Sequence, residues 1–296
     1  MTAASDNVYV GRKITLPAPA KINLFLHVVG TRPNGYHDLQ SVFTYLDYCD
    51  ELTFEVTDTE KVEIFPEGFV ELKDNLIYKA YQMMEVYRPR NTGLKIYTEK
   101  NIPSFGGLGG GSSDAATTYY ALAYLWNLDF SKVPDATESS KLGADIPFFV
   151  GGETAFVEGI GEILKSVDIP EKWYLIIHPN EKVSTKKVFQ HPELNCATAK
   201  ISDTQLFDFK WDNDLEPLVR DLYPAVDNAV RWLQQYSDNA RMTGSGACVF
   251  GEFDSENEAR DVYELIPEGW NAFIAKGCQK SPLFEKLSLV SKNFKL

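Results

Sequence analysis

The sequence predicts an α+β protein with two domains. In several segments apolar and polar residues alternate, as in half-buried strands, and in others apolar residues recur at helical spacing. Over residues 247–275 a strand, a helix that begins with a capping box, and a second strand follow one another, which is typical of a separate α+β unit. The 296 residues, of which 44% are hydrophobic, can bury a large core. We predict domains over residues 1–160 and 161–296.

The predicted elements mix helices and strands along the whole chain. Residues 74–88 place apolar side chains on one broad helical face. Pro224 breaks or kinks a helical run over residues 215–236, because proline lacks the amide proton that a helix interior needs. Residues 180–214 are polar and are predicted to hold loops and short helices. Strands are predicted over residues 13–29, 52–56, 94–98, 146–150, 173–177, 247–253 and 271–275.

Charge and composition exclude several classes of function. The net charge of −13 disfavours binding to nucleic acid or to acidic lipid. No apolar run approaches the roughly 18–20 residues of a membrane span, and residues 1–11 lack the basic and apolar regions of a signal peptide. The four cysteines form no C-x-x-C pair, and the four histidines are scattered, so no zinc site is expected. We expect a cytoplasmic protein with reduced, mostly buried cysteines.

The most informative segment is the glycine run from Gly106 to Gly111, which lies between a predicted strand and a predicted helix. Glycine reaches positive φ and lets backbone amides approach a ligand closely. The unpaired N–H groups and the dipole of a helix start favour an anion. We therefore predict a phosphate site between Gly106 and Ser113 that holds a nucleotide triphosphate. A flexible surface linker is the alternative, since Gly/Ser-rich segments often have that role.

Two polar residues interrupt the apolar strand near the N-terminus. Lys21 and Asn23 are two positions apart, so their side chains share one face of the strand. Such a face either meets solvent, as lysine normally does, or lines a site.

Two further segments offer polar side chains. Tyr36 and His37 follow a tight turn at Asn34–Gly35, and a half-exposed aromatic beside a surface histidine is the alternative to a ligand contact. Asp145 precedes the apolar segment 146–150, where an aspartate is often only a cap or turn residue.

Several motifs, in the expected order, resemble those of the GHMP kinases, a family of small-molecule kinases. The segment 103–114, of the form P-x-x-x-G-L-G-G-G-S-S-D, is similar to the central phosphate loop of the family. G-A-D-I-P-F-F at 143–149 resembles the segment with its catalytic aspartate, and T-G-S-G-A-C at 243–248 its late glycine-rich motif. P-A-K-I-N-L-F-L at 19–26 and G-Y-H-D-L-Q-S-V-F at 35–43 resemble one branch, which phosphorylates 4-diphosphocytidyl-2-C-methyl-D-erythritol in the non-mevalonate isoprenoid pathway.

This resemblance implies a fold and a reaction. The implied fold has an N-terminal α/β ATP-binding domain and a C-terminal ferredoxin-like α+β domain. ATP is the implied phosphoryl donor, with Mg²⁺ bridging its phosphate oxygens. By the same resemblance Asp145 is the general base, and Lys21 stabilises the charge that develops in the transition state. The residues implied at the ATP phosphates are Pro103, Gly106, Gly107, Leu108, Gly109, Gly110, Gly111, Ser112 and Ser113.

The branch also implies how the substrate is recognised. Tyr36 and Phe189 would sandwich the cytosine of 4-diphosphocytidyl-2-C-methyl-D-erythritol, and His37 would hydrogen-bond its edge. Phe105 departs from the family, which more often has glycine or a small residue there, and residues 1–11 have no counterpart in it. The residues implied at the substrate are Asn23, Tyr36, His37, Thr185, Phe189, Gly244 and Ser245.

Two alternatives stay open at this point. Another small-molecule kinase of the family, of the mevalonate or homoserine type, would keep the loop and Asp145 but lose the cytosine clamp. A non-catalytic nucleotide-binding protein would keep the loop and lack Lys21 or Asp145, both of which are present.

Overall fold

The structure, a computed structural model, describes residues 7–68, 70–207, 211–292 and 294. The prediction that residues 1–11 form no signal peptide falls partly outside the described residues, because residues 1–6 are not among them. Within the described residues the strands are β1 (Lys13–Thr31), β2 (His37–Thr57), β3 (Val62–Phe65), β4 (Gly93–Glu99), β5 (Ala155–Gly159), β6 (Ile163–Ser166), β7 (Trp173–His178), β8 (Arg241–Met242), β9 (Val249–Phe253) and β10 (Asn271–Cys278). The α-helices there are α1 (Leu76–Met84), α2 (Gly110–Leu125), α3 (Ala136–Ser140), α4 (Ile146–Gly151), α5 (Thr185–Phe189), α6 (Glu216–Leu222), α7 (Pro224–Leu233), α8 (Glu256–Tyr263) and α9 (Pro282–Val290).

The long strand β2 organises the sheet. It pairs antiparallel with β1 along most of its length, with β4 near its end and with β5 near its start. Through β10 it joins the strands of the C-terminal half, in the order β3-β4-β2-β10-β7-β9-β8. One sheet therefore runs through both predicted domains, and the boundary near residue 160 stays a prediction.

Most of the predicted elements are confirmed. The strands predicted over 52–56, 94–98, 173–177 and 271–275 lie within β2, β4, β7 and β10, and β9 begins two residues after the predicted start. Pro224 breaks the helical run, as predicted: α6 ends at Leu222, and Pro224 is the first residue of α7. β1 contains two prolines in its first half, which it tolerates because no strand in the described part other than β2 pairs with it.

The predicted strand over residues 146–150 is wrong, because these residues form the helix α4. Pro147 lies in the first turn, where its fixed φ suits a helix and its missing N–H is not needed. Ile146, Phe148 and Phe149 are all buried, since this short helix packs against α2 and the sheet. A six-residue helix buried on several sides shows no helical period in its sequence, so pattern alone does not distinguish it from a buried strand.

Candidate active site

The glycine run forms a loop that leads into the buried helix α2, as the sequence predicted. Gly109 is the N-cap of α2, and Gly107 and Gly109 have φ values of +75° and +73°. A Cβ atom at Gly107 would lie 2.5 Å from the carbonyl oxygen of Thr243, so the position needs glycine for space as well as for φ. The first N–H groups of α2 have no partner within the helix and meet the open side of this loop.

Two distant segments fix the loop through backbone hydrogen bonds. On β1 the amide of Lys21 donates to the carbonyl oxygen of Leu108 at 3.0 Å. The amides of Ala247 and Cys248 donate to two further carbonyl oxygens of the loop, at 3.1 and 3.2 Å. Leu108 itself is buried in an apolar cluster with Cys248. The N-terminal motif and the late glycine-rich motif therefore meet at the phosphate loop, although they lie far apart in the sequence.

Lys21 and Asp145 lie together beside this loop. Lys21 Nζ is 3.5 Å from Asp145 Oδ2, and it donates to Asn23 Oδ1 at 2.6 Å. The Lys21 side chain is 3% exposed, whereas that of Asp145 is 35% exposed. Burial lowers the pKa of Lys21, and the Asp145 carboxylate raises it. The pair therefore offers a carboxylate that a ligand can reach and a buried ammonium next to it.

Hydrogen bonds orient the Asn23 side chain. Asn23 Nδ2 donates to Ser41 Oγ at 3.0 Å, and Ser41 in turn donates to the carbonyl oxygen of Phe25. The amide of Asn23 donates to Thr243 Oγ1 at 2.9 Å. These contacts turn the Asn23 carbonyl oxygen toward Lys21. Ser41 and Thr243 lie inside two of the motifs, at 35–43 and 243–248, but were not predicted as site residues.

A cavity of about 950 Å³ opens over the glycine loop. Its wall includes every residue from Pro103 to Ser112, and on other elements Lys100, Lys182 and Thr185. The volume lies at the upper end of the usual range for small-molecule sites, about 300–1,000 Å³. The predicted phosphate loop therefore borders a space that is large enough for a nucleotide.

A buried charge cluster, which no motif in the sequence predicts, lies behind the loop. Lys100 Nζ contacts Asp50 Oδ2 and lies 2.6 Å from Asp114 Oδ2. Asp50 also accepts two backbone amides, those of Asn101 and Ile102, at 2.6 and 2.8 Å. Burial raises the pKa of Asp114 to about 7; the Lys100 ammonium opposes this rise, and the Asp50 carboxylate adds to it. Two carboxylates thus share one ammonium in a site with little water.

We expect Asp114→Asn to make the stability of the protein less dependent on pH. The raised pKa of Asp114 means that its contribution to stability is full below its ordinary value of 3.8 and is lost as the pH rises through about 7. The neutral amide removes that loss. At pH 8 the variant should be more stable than the wild type by at least about 1.4 kcal/mol, the free energy of one pKa unit, and this advantage should vanish near pH 3.5.

Urea unfolding at three pH values measures this difference. Asp58→Asn, at an exposed position, is the matched control and should leave the pH dependence unchanged. An equal change in the free energy of unfolding by Asp114→Asn at low and high pH would contradict the raised pKa of Asp114.

The structure also brings His37 to Phe189. Their ring centres are 5.3 Å apart, with the ring planes at 34°. Phe189 ends α5, and Thr185 at the start of that helix forms a hydrogen bond between its Oγ1 and Ser245 Oγ at 2.7 Å. Tyr36 lies in the turn before β2 and is 58% exposed. Two of the three residues of the predicted cytosine clamp are therefore in contact, and the roles of all three stay predictions.

Comparison with known proteins decides the family. Residues 75–153 match the GHMP kinases N terminal domain, and residues 205–272 match the GHMP kinases C terminal domain. The chain is 46% identical over 275 residues to the 4-diphosphocytidyl-2-C-methyl-D-erythritol kinase of Tolumonas auensis, with 93% of this chain and 96% of that protein covered. It is 48% identical over 274 residues to the kinase of the same description from Shewanella denitrificans, with 92% and 96% covered. The chain belongs to the 4-diphosphocytidyl-2-C-methyl-D-erythritol kinases.

Solved structures agree with this assignment. A crystal structure of a 4-(cytidine 5'-diphospho)-2C-methyl-D-erythritol kinase matches with a TM-score of 0.78 at 29% identity, covering 89% of this chain and 99% of that one. Structures of a homoserine kinase from Cytophaga hutchinsonii and of a mevalonate kinase match with TM-scores of 0.61 at 17% and 18% identity, which shows a shared fold alone. The predicted α+β fold of the GHMP kinases is confirmed, and ATP-dependent phosphoryl transfer is the chemistry of that family. No helix in the described part of the chain has the length and apolar character that a membrane crossing requires.

Proposed function

We propose that this chain transfers the γ-phosphoryl group of ATP to the 2-hydroxyl group of 4-diphosphocytidyl-2-C-methyl-D-erythritol, in the cytoplasm and as a step of the non-mevalonate isoprenoid pathway. The observation that carries the proposal is the Lys21–Asp145 pair, whose Nζ and Oδ2 atoms are 3.5 Å apart. The backbone amide of Lys21 donates to the carbonyl oxygen of Leu108, so the pair lies beside the glycine loop. A phosphate cradle, a reachable carboxylate and a buried ammonium are the groups that transfer to an alcohol needs. The names of the similar kinases support the choice of substrate.

The loop and the start of α2 are suited to the ATP phosphates. Backbone amides and the helix dipole stabilise negative charge there without any help from the net charge of the protein. Mg²⁺ fits this place, because it prefers oxygen ligands and keeps several waters. Ser112 would hold it, since its hydroxyl lies in the first turn of α2 beside the segment that leads to Asp145. When bound, Mg²⁺ supplies positive charge that offsets that of the phosphates.

The chemistry itself falls to the Lys21–Asp145 pair. Asp145 accepts the proton of the 2-hydroxyl group while the oxygen of that hydroxyl group forms a bond to the γ-phosphorus. The bond between that phosphorus and the bridging oxygen of ADP breaks, and ADP leaves with the electron pair. Lys21 stabilises the negative charge on the attacking and transferred oxygens, and Asn23 orients both its ammonium and the sugar alcohol.

The cytosine clamp predicts a selective loss of binding. Phe189→Ala should weaken the binding of CDP by about tenfold, because base–aromatic stacking contributes roughly 1–3 kcal/mol. The affinity for a non-hydrolysable ATP analogue should change by less than twofold, since the phosphate loop lies on other elements. Isothermal calorimetry with both ligands measures this selectivity. Tyr36→Ala should behave in the same way, and His37→Ala should also lessen the preference for CDP over UDP.

The control variant is Tyr263→Ala, which removes an exposed aromatic ring on α8 and should affect neither ligand. Equal losses for CDP and the ATP analogue, or no loss for CDP, would contradict the clamp.

A substrate panel tests the proposed function directly. ADP release is followed with 4-diphosphocytidyl-2-C-methyl-D-erythritol, mevalonate and homoserine as alternative acceptors at equal concentration. Release that depends on the cytidyl substrate supports the proposal. Release with mevalonate or homoserine in its place would identify another small-molecule kinase, and nucleotide binding without any release would identify a non-catalytic protein.

A further inference from the structure

An aromatic ring and a lysine meet at the mouth of the nucleotide cavity. Phe105 has a left-handed backbone with φ of +59°, and its side chain is 63% exposed. Lys182 Nζ lies 5.5 Å from the centre of that ring, and both residues line the cavity over the glycine loop. The left-handed conformation is costly for a residue other than glycine. The amide of Ala247, which donates to the Phe105 carbonyl oxygen at 3.1 Å, helps to hold it.

The charges around the cavity single out this lysine. The Lys100 ammonium is shared by two aspartates, so its charge is already offset. Lys21 is hydrogen-bonded to Asn23 and paired with Asp145. Lys182 lines the same cavity, and among the described residues its Nζ has no carboxylate oxygen within the 4 Å of an ion pair. The Glu181 carboxylate accepts the backbone amide of Lys182 instead, at 3.0 Å. The contact of Nζ is with the Phe105 ring. Because the protein has a net charge of −13, the negative charge of a triphosphate must be offset by local positive charge. The Lys182 ammonium can provide it.

We propose that Lys182 binds the phosphate chain of ATP, and that the Phe105 ring positions its ammonium over the glycine loop. The inference rests on the proposed use of ATP by this site. A cation–π contact at an exposed position is weak, whereas a hydrogen bond between an ammonium and a phosphate is charge-assisted and stronger. Lys182 can therefore keep its contact with the ring while its ammonium hydrogen-bonds the phosphates, so the ring orders the ammonium before the nucleotide binds.

Calorimetric titration with ADP and a non-hydrolysable ATP analogue tests this proposal. Lys182→Ala should weaken the binding of both by about fivefold to tenfold, as for one charge-assisted hydrogen bond that stays partly in water. Lys182→Glu should weaken it further, and added salt should narrow the gap between Lys182→Ala and the wild type. In turnover assays KM for ATP should rise for Lys182→Ala, with kcat and the KM for the cytidyl substrate unchanged. Lys186→Ala, which removes an exposed lysine on α5 that does not line the cavity, is the matched control.

A double-mutant cycle tests the role of the ring. Phe105→Ala should weaken nucleotide binding by about twofold to threefold in the wild-type background, the scale of an exposed cation–π contact, and should have no effect once Lys182 is alanine. Unchanged affinity of Lys182→Ala for both nucleotides, or a loss that Lys186→Ala shares, would overturn the inference. Failure of the wild type to bind either nucleotide would overturn the proposed function as well, so the two failures are distinguishable.

Discussion

Asp145→Asn should lower kcat by about 10²–10⁴, the usual contribution of a general base. Substrate and ATP should still bind within about twofold of the wild type, since an amide has nearly the same shape as a carboxylate and hydrogen-bonds as readily. The helix that follows should also survive, because Asp145 occupies the N-cap position of α4 without a side-chain capping bond. Steady-state ADP release gives kcat, and calorimetry gives the two affinities.

Asp135→Asn is a poor control, because Asp135 caps α3 through its side chain. Asp58→Asn is a better one, since Asp58 is exposed and lies outside the site, and it should keep normal turnover. Turnover of Asp145→Asn within about threefold of the wild type would remove Asp145 from the role of general base, whose loss typically costs about 10² or more.

Lys21→Met should lower kcat by about 10²–10³, the size of the loss when one donor that stabilises developing charge is removed. Methionine keeps the length and the apolar stem of the buried lysine, so the packing of the strand should be kept, although the contact of the ammonium with the Phe43 ring is lost. The fall should appear in kcat more than in either KM, because the charge matters most in the transition state. A rise in the KM for ATP alone would show instead that Lys21 is a ground-state phosphate ligand. Lys141→Met, at an exposed position four residues before Asp145, should have no effect.

The same lysine predicts the alkaline limb of the pH profile. Burial lowers the pKa of Lys21 from 10.5, and Asp145 raises it. Since the charged form is the active one, kcat should fall as the pH rises through this lowered pKa. The Asp145→Asn variant lacks the carboxylate that raises the pKa of Lys21. Its residual activity should therefore fall at a lower pH than the activity of the wild type.

The sequence could predict the site because its parts are local motifs. The order of strand, glycine loop and helix follows from neighbouring residues, and so does the pairing of Lys21 with Asn23 on one face of β1. What the sequence could not show is which glycines of the run are required. Gly107 is required because a carbonyl oxygen of Thr243 lies against it, whereas Gly110 is the first helical residue of α2. That difference depends on a segment more than a hundred residues away.

The features that were missed are also non-local. The Asp50, Lys100 and Asp114 cluster joins the second half of β2, the residue after β4 and the first turns of α2, and no spacing in the sequence relates them. The helix α4 was predicted as a strand because packing on several sides hides its period. In both cases tertiary contacts, which the local sequence pattern does not encode, determine the structure.

Phosphorus NMR of the completed reaction shows whether this site phosphorylates the 2-hydroxyl group of the cytidyl substrate. The mixture holds the protein, ATP, Mg²⁺ and 4-diphosphocytidyl-2-C-methyl-D-erythritol, and the same mixture with Asp145→Asn is the control. We expect one new phosphomonoester signal that couples to carbon 2 of the methylerythritol, an intact diphosphate link, and ADP in equal amount. A phosphomonoester on another carbon, ADP without a phosphorylated cytidyl product, or equal product with Asp145→Asn at the time when the wild-type reaction is just complete would show that the proposed reaction or the role of Asp145 is wrong.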